Sequence, residues 1–297
     1  MRHIAALVFV SLFLLQDPVA FRSDPPAECS ECEKWNQPIE PFQLFGNAYY
    51  VGVAGISAIL LTSDAGHILL DGALPQSAAI IDANVRKLGF KTSDIRLILN
   101  SHAHFDHAGG IHALQRASGA IVATSAAGAR ALRQGRPTPD DPQTDTLPYP
   151  AIDNVRTVAD GEVLRVGPLA ITAHWTPGHT PGSTTWTWRS CEAVRCLEMV
   201  YADSLTAVSD EGFRFSGGGG RPSVVETFRQ SIDKIAQLPC DIIVSTHPGA
   251  VGLDAKRARK REAPQTNPFI DPDGCRTYAA AARKRLDERI RTEAGQF

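Results

Sequence analysis

Between Asn100 and Gly110 the chain reads Asn-Ser-His-Ala-His-Phe-Asp-His-Ala-Gly-Gly, with three histidines and one aspartate inside six consecutive positions. Imidazole nitrogen and carboxylate oxygen together suit zinc, which takes nitrogen at about 2.0–2.1 Å and usually holds four ligands. Side chains two apart in an extended segment face the same way, so His102 and His104 can grip one ion as a pair. Asp106 and His107 break that alternation, and a turn beginning there aims them at a second ion beside the first. Gly109 and Gly110 then let the backbone bend before a helix over 111–117. The competing reading is a surface loop rich in histidine. It accounts for a lone His-x-His, but poorly for four donors that follow the apolar strand 95–99 directly.

Two further histidines stand at the ends of apolar strands beside Pro and Gly: His179 in Thr176-Pro-Gly-His-Thr-Pro-Gly and His247 in Ser245-Thr-His-Pro-Gly. If the topology carries both to the first loop, five histidines and one aspartate suffice for two zinc ions with three protein ligands each. Three ligands leave an ion one position for water, the catalytic pattern and not the closed structural one.

The elements that must position these donors follow from hydrophobic periodicity. Strands are expected at 48–53, 57–62 and 67–70, a helix at 76–88, and the strand 95–99 that delivers the histidine loop. Helix 111–117, strand 120–123 and helix 126–133 complete a first half. Residues 135–150 hold five prolines and no apolar period, so they form a long loop of the kind that is often functional. Strands near 155–158, 162–166, 169–175, 184–189 and 198–201, a helix at 223–237, a strand at 241–245 and a helix from Cys275 onward make the second half. Two sheets stacked face to face and flanked by helices satisfy this order. No linker between two cores is visible, so residues 24–297 are expected to form one domain.

The 297 residues are 43% hydrophobic and 21% charged with a net charge of -2, which gives no electrostatic argument for nucleic acid. The one basic run, Lys256 to Arg261, reads as a solvated face. At the start, Arg2 and the apolar run 4–15 have the form of a secretory signal, too short to span a bilayer, with cleavage expected between Ala20 and Asp24. No cysteine follows that run immediately, so a lipid anchor is not favoured. The six cysteines agree with a periplasmic or secreted location. They permit 15 pairings, of which nearest neighbours (Cys29 with Cys32, Cys191 with Cys196, Cys240 with Cys275) are the simplest. His3, His67, His112 and His174 read as structural or expendable, and Asp71 before Gly72 reads equally as a turn residue or as a brace for the histidine loop.

With these residues in view, the sequence resembles the metallo-β-lactamase superfamily, and within it subclass B3, from about Trp35 to the terminal helix. His-x-His-x-Asp-His is shared by the whole superfamily, including glyoxalase II, lactonases and nucleases. The narrower resemblance rests on Tyr49-Tyr-Val-Gly with Gly55-Ile-Ser, His102 to Gly110, Pro177-Gly-His-Thr-Pro-Gly, Tyr201-Ala-Asp-Ser-Leu-Thr, and Leu238-Pro-Cys-Asp through His247-Pro. It implies an α/β fold, the αββα four-layer sandwich with two mixed sheets flanked by helices. It implies that His102, His104 and His179 bind one zinc and that Asp106, His107 and His247 bind another. Ser204 stands where other subclasses place a metal-binding cysteine. Ser204 and Thr206 are implied to contact a β-lactam carboxylate, and Gln143 to touch substrate. Cys240 to Cys275 matches a disulfide common in the subclass and Cys191 to Cys196 one of some members, whereas Cys29 and Cys32 have no secure counterpart.

The activity implied is hydrolysis of the β-lactam amide, carbapenems included, by a metal-activated hydroxide that Asp106 orients, in a protein that is usually monomeric. Its rival is another exported binuclear zinc hydrolase of the same fold, a glyoxalase-II-like thioesterase or a lactonase, which turns on whether Asp203 bridges the metals. A non-catalytic exported metal binder is the third reading. The single Ser-x-x-Lys, Ser231 to Lys234, lacks the companion motifs of serine β-lactamases.

Overall fold

The computed structural model describes residues 21–295. The leader's apolar run, His3 and the residues up to Ala20 lie outside that range. A short helix α1 (Cys32–Trp35) precedes strands β1 (Phe42–Phe45), β2 (Ala48–Tyr50), β3 (Ile59–Leu61) and β4 (His67–Leu70). Helix α2 (Ala78–Lys87), strand β5 (Ile95–Leu99), helices α3 (Phe105–Ala108) and α4 (Ile111–Ser118), strand β6 (Ile121–Thr124), helix α5 (Ala126–Gln134) and strand β7 (Val155–Thr157) follow. The second half runs β8 (Val163–Val166), β9 (Leu169–Trp175), β10 (Thr184–Glu192), β11 (Arg195–Ala202), α6 (Val225–Gln237), β12 (Ile242–Ser245), α7 (Leu253–Glu262) and α8 (Gly274–Glu293).

Strands β1 to β7 form one sheet in sequence order, antiparallel from β1 to β4 and parallel from β4 to β7. The other sheet has the order β12-β11-β10-β9-β8, with only β11 and β12 parallel. Strand periodicity decides the layers. Leu97 and Leu99 of β5 face inward with Tyr50, Ile68 and Leu70, against Ile171, Trp186, Met199 and Tyr201 of the second sheet. Ile98, Leu60 and Leu69 point the other way, onto Ile81 and Val85 of α2 and Ile111 and Leu114 of α4. Val200 and Ile243 likewise meet Phe228 and Ile232 of α6 and Tyr278 and Leu286 of α8. Helix, sheet, sheet and helix thus stack in four layers, and strands covered on both faces read as near-continuous apolar runs.

Four local expectations change. The helix expected at 76–88 opens with a 3-10 turn at Pro75–Ser77 and is α-helical only from Ala78. Strand β1, not anticipated behind Pro38 and Pro41, pairs with β2 across a turn at Gly46, whose φ of 53° suits glycine. The turn expected at Asp106 and His107 is the one-turn helix α3. The basic run lies on α7, and one of its members is not solvated: Lys256 is buried and its Nζ donates to Asp271 Oδ2 at 2.8 Å. The three nearest-neighbour disulfides are all formed. No helix among the described residues is long and apolar enough to cross a membrane.

Candidate metal centre

Every expected donor leaves a strand at the same end of the sandwich. Beyond the C-terminal ends of β4 and β5 come Asp71 and the loop Asn100 to His107; beyond β9 comes His179, beyond β11 Asp203 to Thr206, and beyond β12 His247. Asp71, at φ 59°, braces the first loop. Its Oδ1 accepts from Asn100 Nδ2 at 3.0 Å and from the Ser101 amide at 2.8 Å. Its Oδ2 accepts from Ser101 Oγ at 2.6 Å and Tyr201 Oη at 2.8 Å. Burial pushes the carboxyl up to about 6 even with these donors and His107 nearby. Asp71 is therefore a brace, and the turn it occupies is the means of reaching the loop. Gly109 and Gly110 form the turn between α3 and α4 with right-handed backbone angles, and a Cβ on Gly110 would sit 2.2 Å from Gly72 O. The chain does bend there before α4, and close backbone approach, not a positive φ, is what requires glycine.

The donors converge. His102, His104 and His179 present ligand atoms within 4.8 Å of one another, as do His102, Asp106 and His107. His247 joins through Asp106, whose Oδ2 lies 3.3 Å from His247 Nε2 and 3.2 Å from His107 Nε2. Four of the five imidazoles have their other nitrogen held by an acceptor. Asp203 Oδ1 faces His102 Nδ1 at 2.6 Å, and Asp141 Oδ1 faces His104 Nε2 at 3.1 Å. The carbonyl of Thr206 faces His179 Nδ1 at 3.0 Å, and that of Gly55 faces His247 Nδ1 at 3.0 Å. Such partners fix the tautomer and turn the remaining lone pair inward, the arrangement of ligands to a metal. His102 Nε2 and both ring nitrogens of His107 are buried without any hydrogen-bond partner. Unpaired buried nitrogen is costly unless something accepts its lone pair, and a cation does so.

The electrostatics agree. Burial, reinforced by the neighbouring histidines, holds His102 and His179 well below the ordinary imidazole value, so both are neutral donors. Burial alone would raise Asp106, but His107 and His247 outweigh it and keep the carboxyl well below its usual range. Burial raises Asp203, which lies among these histidines, with its Oδ2 unpaired. A donor set of five imidazoles and one ionised carboxylate fits zinc.

The residues expected near substrate surround this cluster. Ser204 Oγ shares a hydrogen bond with Thr246 Oγ1 at 2.8 Å, and Thr206 Oγ1 lies 3.0 Å from His179 Nδ1. Gln143 Nε2 is buried without a partner. The site also takes in Asp141, Gly55 of the Gly55-Ile-Ser segment, and Trp35, whose ring centroid lies 5.3 Å from that of His247. No local spacing reveals which histidine each one meets, because the contacts form only through the fold. The other histidines among the described residues stay apart. His67 packs edge-on against Phe90, His112 bonds Asp24, and His174 bonds Thr187. Ser231 Oγ donates to Pro177 O, behind the His179 loop.

Residues 51–247 match the family described as the metallo-beta-lactamase superfamily. Among solved structures, MEM-A1, a subclass B3 metallo-beta-lactamase from a soil metagenome library, is 49% identical with a TM-score of 0.85, covering 89% of this chain and 100% of that one. The Rm3 metallo-beta-lactamase is 48% identical with a TM-score of 0.87, covering 90% of this chain and 100% of that one. Among curated proteins, the hydroxyacylglutathione hydrolase of Rhodospirillum rubrum is 26% identical over 57% of this chain. The matched stretch spans only 53% of that protein's length.

Proposed function

The chain belongs to the metallo-β-lactamase superfamily, in its subclass B3, and on that premise we propose that it is an exported two-zinc hydrolase that opens the β-lactam ring, carbapenems included. The observation that carries the reading is the convergence of His102, His104, His179, Asp106 and His107 in two overlapping donor groups, with His247 joined to them through Asp106. His102, His104 and His179 would hold the first zinc, and Asp106, His107 and His247 the second. When bound, the two ions supply a Lewis acid for the lactam carbonyl and lower the pKa of a water to about 7.

The remaining roles fall to the chain's own side chains. Asp106 stays ionised at neutral pH because its histidine neighbours hold its pKa down, so its carboxylate accepts a hydrogen bond from the attacking water and orients it. Ser204 and Thr206 offer hydroxyls for the substrate carboxylate. Gln143, on the loop that Asp141 ties to His104, would touch substrate. Asp141, Asp203, Thr206 and Gly55 keep the imidazoles in one tautomer and one orientation. Three disulfides support export to an oxidising compartment, with a signal ending between Ala20 and Asp24 and a monomeric mature protein.

The curated thioesterase relatives favour one alternative, a glyoxalase-II-like hydrolase. Against it, one oxygen of Asp203 is already engaged by His102 Nδ1, and Asp203 belongs to neither group of converging donors. Purified protein is expected to hydrolyse nitrocefin and a carbapenem, to lose both activities in EDTA and to regain them with zinc. Hydrolysis of a glutathione thioester with no turnover of either β-lactam would overturn the proposal.

A further inference from the structure

We propose that Asp141 is a positioning residue that couples His104 to the loop carrying Gln143. It would do so by holding the imidazole toward the first metal and the loop backbone against it with one carboxylate oxygen. The inference rests on the metal-centre reading given above.

Three observations support it. Asp141 is only 4% exposed and sits in the long proline-rich loop, where a buried carboxylate needs a reason. Its Oδ1 takes two donors at once, His104 Nε2 at 3.1 Å and the Gln143 amide at 2.9 Å. A plain Asx turn would account for the second contact but not for the first, nor for the burial. Beyond Gln143 the loop is pinned again. Asp210 Oδ2 accepts from the Thr144 amide at 2.7 Å and from Thr144 Oγ1 at 2.6 Å, while on the near side of Gln143 the Asp210 amide donates to Pro142 O at 2.9 Å, a backbone bond that a substitution at Asp210 leaves in place.

Gln143 thus sits between two fixed points, one on a histidine and the other on the segment that carries Ser204 and Thr206. The two pins have separable consequences. Loss of the Asp141 charge removes the carboxylate behind His104 and weakens the histidine as a donor. Loss of Asp210 frees the far end of the loop and leaves His104 braced.

Cobalt(II) titration of the metal-free protein, read by visible absorption and by competition with a chromophoric chelator, tests the coupling alongside kcat and KM for nitrocefin. Asp141→Asn, which keeps Oδ1 for the Gln143 amide, is expected to weaken cobalt binding at one of two sites by about 10–100-fold. Asp141→Ala is expected to do the same and to raise KM as well. Asp210→Ala is expected to raise KM with cobalt affinity unchanged. Should Asp141→Ala fail to fold, the nearly isosteric Asp141→Asn carries the test. Cobalt affinity in Asp141→Asn equal to wild type overturns the inference, as does an equal loss in Asp210→Ala, which would mean general loosening of the loop. A wild-type protein that binds no cobalt overturns the metal-centre reading itself, so the two failures are distinguishable.

Discussion

Asp203 Oδ1 lies 2.6 Å from His102 Nδ1, both side chains fully buried, which puts the carboxylate behind a donor imidazole on the nitrogen opposite the unpaired Nε2. Asp203→Asn should therefore lower zinc affinity by about 10–100-fold while leaving the ligand set complete. Asp106→Asn removes a donor and the group that orients water, so turnover should fall by orders of magnitude in a protein that remains folded. Zinc content after dialysis and kcat for nitrocefin separate the two. If Asp203→Asn lost metal as thoroughly as Asp106→Asn, the bridging role expected of a thioesterase would have to be reinstated.

His179 and Ser204 occupy neighbouring loops with different tasks. His179 has its Nδ1 held by Thr206 O at 3.0 Å, and His179→Ala leaves the first site short of a donor. The expected result is a loss of orders of magnitude in kcat/KM together with reduced metal content. Ser204 is bonded to Thr246 Oγ1 and lies outside both donor groups, so Ser204→Ala should chiefly raise KM at unchanged zinc content. Equal and small losses in both variants would contradict the division of roles.

Metal binding should release protons, and the shifts give the sign. His102 and His179 are held well below the ordinary value, first by burial, and are already neutral near pH 7. For His104 and His247 burial also pushes downward, but Asp141 and Asp106 respectively outweigh it, and both are raised. Protonated His104 and His247 stabilise the metal-free fold below their unfolded pKa of about 6.5. That contribution disappears as pH rises through their folded values. Zinc must displace the same protons, so its affinity should climb with pH through this window and level off above it. Calorimetry in buffers of different ionisation enthalpy, between about pH 5 and 8, should show proton release that shrinks as pH rises. No release anywhere in that range would refute the argument.

What could be read from the chain, and what could not, divides along physical lines. Strands β4, β5 and β9 were legible to the residue because burial on one or both faces leaves an unbroken or alternating apolar signature. Helix α7 left none: only Leu253 and Lys256 of its ten residues are buried, so no apolar stripe announces it. Helix α3 is a single turn whose residues are chosen for the site and not for propensity. The donors could be found because zinc constrains residue type and local spacing together. Asp141 could not, since it reaches His104 across 37 positions of chain and its own neighbourhood reads as prolines in a loop. Asp71 lay between these cases: its place after β4 was visible, but its four donors were not.

Gly55 shows how far such hidden support extends. A Cβ on this residue would lie 2.4 Å from Trp35 Cδ1 and 2.7 Å from Trp35 Cα, while the Gly55 carbonyl holds His247 Nδ1 at 3.0 Å. The Gly55 amide also donates to Trp35 O at 3.0 Å, so neither backbone can retreat without breaking a bond. Gly55→Ala must then displace Trp35, the carbonyl that orients His247, or both. Overpacking of this kind costs about 1–3 kcal/mol, and the displacement bears on the second site before the first. The expected outcome is a lowered Tm together with a protein that keeps one tightly held zinc and loses the other on dialysis. Trp35→Ala removes the ring contacts and leaves the one with Cα, so the double variant Gly55→Ala with Trp35→Ala should recover only part of the lost zinc. A double variant no better than Gly55→Ala alone would show that the Trp35 ring is not what displaces the carbonyl.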